Sequence, residues 1–335
     1  YTLLAISTLL DKGASYKNVI CLGHINDAQG RKMSKHLGNV VDPWLIINKY
    51  GVDALRYHLF SMNQPGESKS FDEKDVNEVV KKLLLILSNV VSFYKLYEDK
   101  NIIDRDFQPQ NILDQWLYSR VYELIDGITS EMDKYEITNA ARKISEFVND
   151  LSIWYVRRSR ERFKNQDQKE RTEALNTLYF ALNSLSKLMA PFMPLTAEYY
   201  YKELGGEKES VHLEEWPVKE KVFFSQQILD IMDLARKIVE AGLAKRAGVG
   251  IKVRQPLLSY TTNLPALRGV KSEKFAPQLI EIIKSELNIK ELKFGKDEAL
   301  DTTINEDLRL EGLARDLKRQ INNLRKELGL TVNDK

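Results

Sequence analysis

Cysteine is almost missing: Cys21 is the single one in 335 residues. One thiol excludes a disulfide framework, and also a zinc site built from four cysteines or from two cysteines and two histidines. It suits a reducing compartment. Long apolar runs are missing too, since none reaches the roughly 18 residues that a membrane-spanning helix needs. Net charge is +2, so the chain as a whole selects no partner, and any polyanion site must come from local clustering. Sixteen glycines and nine prolines are too few for a collagen-like or low-complexity chain. The opening Tyr1-Thr2-Leu3-Leu4 has neither an initiating methionine nor the basic-then-apolar layout of a secretory signal. The expectation is a piece of a longer chain. What is present is 43% hydrophobic residues, enough for two or three domains at about 100–200 residues each.

Residues 1–22 read as the end of a buried helix (Leu3, Leu4, Ile6, Leu9, Leu10) closed by Asp11-Lys12-Gly13, then a short buried strand, Asn18 to Leu22. Asp42-Pro43 starts a helix as N-cap and first-turn proline, and Gly51 ends it. Asp53 starts another. Ser70-Phe71-Asp72-Glu73 fits a capping box. Four apolar stripes with helical spacing follow: Val76 to Tyr97, Leu113 to Tyr135, Ile137 to Tyr155 and Leu175 to Met189. Four such helices with modest connections predict an antiparallel bundle. Gly205-Gly206 and Trp216-Pro217 mark a linker. Beyond it the pattern alternates: helix 225–246, strand 251–262, helix 276–287, strand 289–294 and helix 307–328, a small α+β domain.

Two segments carry chemistry. Gly30-Arg31-Lys32-Met33-Ser34-Lys35-His36-Leu37-Gly38-Asn39 directly follows the expected strand, where α/β folds place ligand loops. Lys32 and Lys35 lie three apart between glycines, so a mobile loop could bring two ammonium groups to phosphates and stabilise charge developing on a pyrophosphate. The plainer alternative is a solvated basic turn. The second segment, Trp154 to Lys164, holds five cations and one acid. Its apolar stripe runs from Trp154 into Arg158 and Arg162, while Arg157, Arg160 and Lys164 fall on the neighbouring face. Buried stripes do not end in guanidinium groups unless something anionic or acidic waits there. Arginines beside aromatics suit an RNA loop; a solvated basic helix end is the alternative. Two more basic clusters lie at Arg236 to Arg254 and Arg309 to Lys326; in the second, Leu310, Leu313, Leu317, Ile321 and Leu324 read as packing, so its plainer reading is a charged helix face.

The letters are more specific than the spacing. Lys32-Met33-Ser34-Lys35 resembles the second signature of the class I aminoacyl-tRNA synthetases, with His36 where serine is usual. Leu37 to Pro43 and Tyr50 to Arg56 resemble that family's isoleucine, valine and leucine branch. Ile153 to Arg160, Leu188 to Pro194, Val211 to Pro217 and Lys252 to Leu257 resemble its isoleucyl members. Gly23-His24-Ile25-Asn26 echoes the family's first signature only superficially: it lacks the second histidine and lies too close to Lys32, so His24 reads as a strand-end residue.

The resemblance implies a mainly α chain: the end of a Rossmann-like catalytic domain with its connecting helices (1–62), a helical-bundle anticodon-binding domain (63–205), a linker (206–224) and a C-terminal α+β tRNA-binding or junction domain (225–335). It implies ATP contacts from Lys32, Met33, Ser34 and Lys35, the two lysines being catalytic, and tRNA contacts from Trp154, Arg157, Arg158, Arg160 and Arg162. The implied reaction is ATP-dependent activation of isoleucine, with magnesium, and transfer to tRNA(Ile), in a cytoplasmic monomer. Without the first signature and the amino-acid pocket, this chain alone is expected to be inactive. It lacks the cysteines of a C-terminal zinc knuckle, so no zinc is expected. The same region of a valyl or leucyl enzyme, a non-catalytic tRNA-binding module and a helical scaffold are the other readings.

Overall fold

The computed structural model describes residues 1–99, 104, 107–219, 224–263 and 277–330. Part of the expected linker, 220–223, lies outside these residues, as do 264–276 and 331–335 of the tail. The described chain is mainly helical with small sheets, and it forms two compact units, Tyr1–Phe224 and Ser225–Lys335.

In the first unit, α1 (Thr2–Leu9) leads into an extended segment and a two-residue strand, β1 (Ile25–Asn26). Helices α2 (Pro43–Tyr50) and α3 (Val52–Ser61) follow, and β2 (Lys69–Ser70) pairs parallel with β1. Capping explains α2: the Asp42 carboxylate accepts the Trp44 amide, Pro43 needs no partner at the first position, and Gly51 ends the helix at φ +87°. Two expectations are corrected here. The segment 18–22 is not a strand, and Val19, Ile20 and Leu22 are exposed, as is most of α1; no strand among the described residues pairs with it, and a strand exists only through its neighbour's hydrogen bonds. The cap of the next helix is Asp72, which accepts the Lys74 amide, not Ser70. Ser70 is held extended by its pairing with Asn26.

The bundle begins with a continuous helix, 73–97, made of α4 (Glu73–Val79), a π turn (Val80–Leu84) and α5 (Leu85–Tyr97). Next come α6 (Ile112–Asp133), then α7 (Ile137–Asp150), which passes through a π turn (Leu151–Val156) into α8 (Arg157–Phe163). Helices α9 (Gln168–Met189) and α10 (Pro194–Glu203) complete it. Trp116, Leu117, Ile144, Phe147, Leu151, Leu178, Leu185 and Leu188 are fully or almost fully buried. At roughly 1.5–3 kcal/mol for each large apolar side chain removed from water, this core outweighs any helix propensity. Trp216 donates to the Thr129 hydroxyl and Lys219 pairs with Asp126, so residues 216–219 lie along α6.

The second unit packs α11 (Gln226–Gly248) and α12 (Pro277–Leu287) with a three-stranded sheet ordered β4 (Ile289–Phe294), β3 (Leu257–Thr262), β5 (Ala299–Leu300). The first two strands are parallel, with Tyr260 opposite Leu292, and β5 is antiparallel to β3. The last helix, α13 (Glu306–Glu327), rests through Leu308, through Gly312 against Gln255, and through Arg315 bonded to Asn288. This overturns the packing expected of its leucines. Leu310, Leu313, Leu317, Ile321 and Leu324 lie on the opposite side of the helix and are about half exposed.

Candidate functional site

The lysine loop is built on a small hairpin. Asn26 bridges Lys32, Asp27 N–H donates to Arg31 O at 2.8 Å, and Gly30 N–H donates to Asp27 O at 2.9 Å. Gly30 takes φ +77° at the turn and Gly38 φ +64° at the far end, a region where a side chain would be strained. Between them Met33 turns inward against the cluster of Ile46, Leu55 and Phe71. Lys32 and Lys35 turn outward and are exposed. The Ser34 hydroxyl caps the short 3₁₀ turn Lys35–Leu37 by accepting the His36 amide. The pattern is one anchored methionine flanked by two presented ammonium groups, with no carboxylate among the described residues within ion-pair distance of either. His24 lies exposed immediately before β1, and its carbonyl accepts the Lys69 amide.

Two residues hold the loop from behind. The Asp27 carboxylate accepts the amides of Gln29 and Arg31, the Arg31 side chain at 2.8 Å and the Asn39 side-chain amide at 2.9 Å. Asn39 also donates to Lys32 O at 3.3 Å and accepts the Ser34 amide at 2.8 Å. Its hydrogen bond, with those from Arg31, holds the Asp27 carboxyl down at about 2. Neither residue is conspicuous in sequence; the signal that identifies them is an acid and an amide at the two feet of a glycine-flanked loop.

Helix α3 ties this region to the bundle. Asp53 is buried and accepts the Thr196 amide at 2.6 Å, capping α10 rather than its own helix. Arg56 donates to the carbonyls of Phe192 and Pro191, and lies over the Phe60 ring, which meets Phe192 edge-on. In return, Arg142 and Thr138 of α7 donate to the carbonyls of Ser61, Met62 and Asn63, which close α3.

The basic helix splits into two faces. Trp154 and Arg162, expected among the tRNA contacts, are drawn into the bundle. Trp154 is only 6% exposed. Arg162 forms two parallel 2.7 Å bonds to Asp114, which is fully buried, and a third 2.7 Å bond to Glu170. The Tyr155 hydroxyl donates to the same Asp114 at 2.7 Å. Burial opposes charge on Arg162, but Asp114 overrides it and the guanidinium pKa is raised. Burial, with Asp114 beside it, pushes the Tyr155 hydroxyl up as well. The acid that the arginine-ended stripe calls for is therefore inside the chain. Arg157, Arg160 and Lys164 are exposed and Arg158 is half-buried; Arg157 also donates to Ile153 O.

In the second unit, part of the basic cluster is structural. Arg246 is buried and its guanidinium donates to the carbonyls of Lys252, Gln255 and Asn288. Burial lowers its pKa to about 10. Arg254 pairs with Asp316 at 2.8 Å. Among the described residues no group of three or more histidine, cysteine, aspartate or glutamate side chains is placed to hold a metal, and no helix is long and apolar enough to cross a membrane.

Comparisons with known proteins match two stretches. Residues 1–72 match the family described as tRNA synthetases class I (I, L, M and V), and residues 114–261 match the anticodon-binding domain of tRNA ligase. The isoleucine–tRNA ligase of Clostridium acetobutylicum is 38% identical over 98% of this chain, and that of Clostridium novyi 41% identical over 89%. The chain spans only 32% and 29% of those relatives' own lengths. Among solved structures, the ternary complex of Agrobacterium radiobacter K84 agnB2 LeuRS-tRNA-LeuAMS matches with a TM-score of 0.52 at 20% identity, over 67% of this chain and 27% of that one. That likeness concerns the fold alone.

Proposed function

We propose, from the premise that this chain belongs to the class I aminoacyl-tRNA synthetase family, that it serves as part of an isoleucine–tRNA ligase. It supplies the lysine loop that meets the ATP phosphates and the bundle that meets the anticodon region of tRNA(Ile). In this reading Lys32 and Lys35 approach the triphosphate as point charges and stabilise pyrophosphate as it leaves. Met33 anchors the loop and Ser34 shapes it. Neither lysine can bind a cation, so magnesium enters as the counter-ion of the triphosphate. Isoleucine is held by parts of the enzyme that these residues do not supply.

The observation that carries the reading is the opposed orientation within the loop: Met33 packed inward, both lysines outward. For RNA the supporting observation is the exposed face of Arg157, Arg160 and Lys164 at the end of a well-packed helix. The tRNA-contacting set is accordingly narrower than the sequence suggests, with Trp154 and Arg162 shaping that face from behind.

Titration of the chain with purified isoleucine, valine and leucine tRNAs at several salt concentrations tests this. Affinity is expected to be greatest for the isoleucine tRNA and to fall steeply with salt. Arg157→Ala with Arg160→Ala is expected to reduce the salt slope by about two, roughly one for each phosphate no longer neutralised. A flat salt response defeats the RNA assignment, and equal affinity for all three tRNAs defeats the isoleucine assignment.

A further inference from the structure

The loop's geometry contains a device that the phosphate reading does not need and does not explain. Asp27 stands at its start and Asn39 at its end, twelve positions apart, yet their side chains meet at 2.9 Å. Asn39 also bonds the backbone that carries the lysines, donating to Lys32 O and accepting the Ser34 amide. One of its three contacts reaches back to Asp27 and the other two grip the Lys32–Lys35 segment itself. Asp27 is buried although it belongs to a loop, and both of its oxygens are engaged. An anion beside a phosphate-binding loop is electrostatically unhelpful, so its presence requires a mechanical reason.

We propose that Asp27 and Asn39 form a clasp that sets the separation and direction of Lys32 and Lys35, and that these two are positioning residues for the ammonium pair without touching phosphate themselves. This deepens the proposed function and rests on it. With the clasp shut, the backbone from Lys32 to Ser34 is fixed and ordering the lysines on a ligand costs less entropy. With the clasp lost, the glycines at 30 and 38 leave the segment free to wander.

Two variants separate this mechanics from plain charge. Asn39→Ala removes the strap and leaves every charge in place. Asp27→Asn keeps the shape but puts an amide donor against the Arg31 and Asn39 donors, so it breaks the clasp while removing a negative charge and releasing Arg31. Simple electrostatics says that Asp27→Asn binds polyphosphate more tightly and that Asn39→Ala changes nothing. The clasp says that both bind it more weakly.

The test uses the whole chain. Brief trypsin digestion with mass-spectrometric mapping reports cuts after Arg31, Lys32 and Lys35. Calorimetric titration with inorganic triphosphate at low salt reports affinity, and a circular-dichroism melt reports whether the bundle is intact. Both variants are expected to raise cleavage within 31–35 about tenfold with the melt unchanged, because cleavage follows the open population. Both are expected to weaken triphosphate binding several-fold. Unchanged cleavage in Asn39→Ala, or tighter triphosphate binding by Asp27→Asn, overturns the clasp. Loop protection that depends on Asn39 in a native chain that binds no triphosphate upholds the clasp and defeats the phosphate reading instead.

Discussion

Asp114 interrupts an apolar stripe in α6, between Leu113 and Trp116, and is fully buried. Its cost is offset because Arg162 binds it through two 2.7 Å bonds and Tyr155 through a third. Breaking such a pair on one side strands the other charge. Asp114→Leu is expected to destabilise the bundle by about 3–5 kcal/mol, whereas pairing it with Arg162→Met should recover much of the loss. Urea unfolding of the single and double variants measures this; a double variant no more stable than Asp114→Leu argues against a coupled pair. The same residues show where sequence reading reaches its limit. The rule that a guanidinium ending a buried stripe needs an anion is sound, but an acid 48 positions away is brought near only by folding. The sequence therefore does not name Asp114 as that anion until the helices are assembled.

Among the elements, periodicity carries most of the information. All four bundle helices and the alternating tail are legible because one face of each must be apolar, and that leaves a mark every three or four residues. Edges and pairings are less legible. The stretch 18–22 has strand composition but pairs with no strand among the described residues, and the apolar side of α13 has helical spacing but faces solvent. In both cases the pattern states that a face is apolar and not what lies against it. Caps are also ambiguous: Asp53 sits where a helix start needs an acid, yet serves α10. Asp53→Ala is expected to cost about 1 kcal/mol, felt at α10 and not at α3. Hydrogen exchange of the Thr196 and Ala197 amides reports it, and faster exchange confined to α3 would show that the cap is local.

For the molecule as a whole, two compact units predict two cores that can be damaged separately. Arg246 provides the test. It is a buried cation held by three backbone carbonyls and, among the described residues, by no carboxylate, and it fixes the turn before β3 to the start of β4. Arg246→Met takes the donor from the Gln255 carbonyl, at about 1–3 kcal/mol, and one of two donors from Lys252 O and Asn288 O, which keep the Gln255 and Leu257 amides. The second unit is expected to melt at lower temperature while the bundle's transition stays in place, which calorimetry resolves as two peaks moving apart. Equal shifts in both peaks would mean that the two cores unfold as one.

The π turn at Leu151–Val156 acts as one surplus residue wound into an otherwise regular rod. Each residue of an α-helix advances the azimuth by about 100°. Excising one position there would swing everything downstream through that angle, unhook Arg162 from Asp114 and aim Arg157, Arg160 and Lys164 at a different quadrant. The bulge is thus the phase setting by which an interior stripe and an outward-facing cationic row share a single helix.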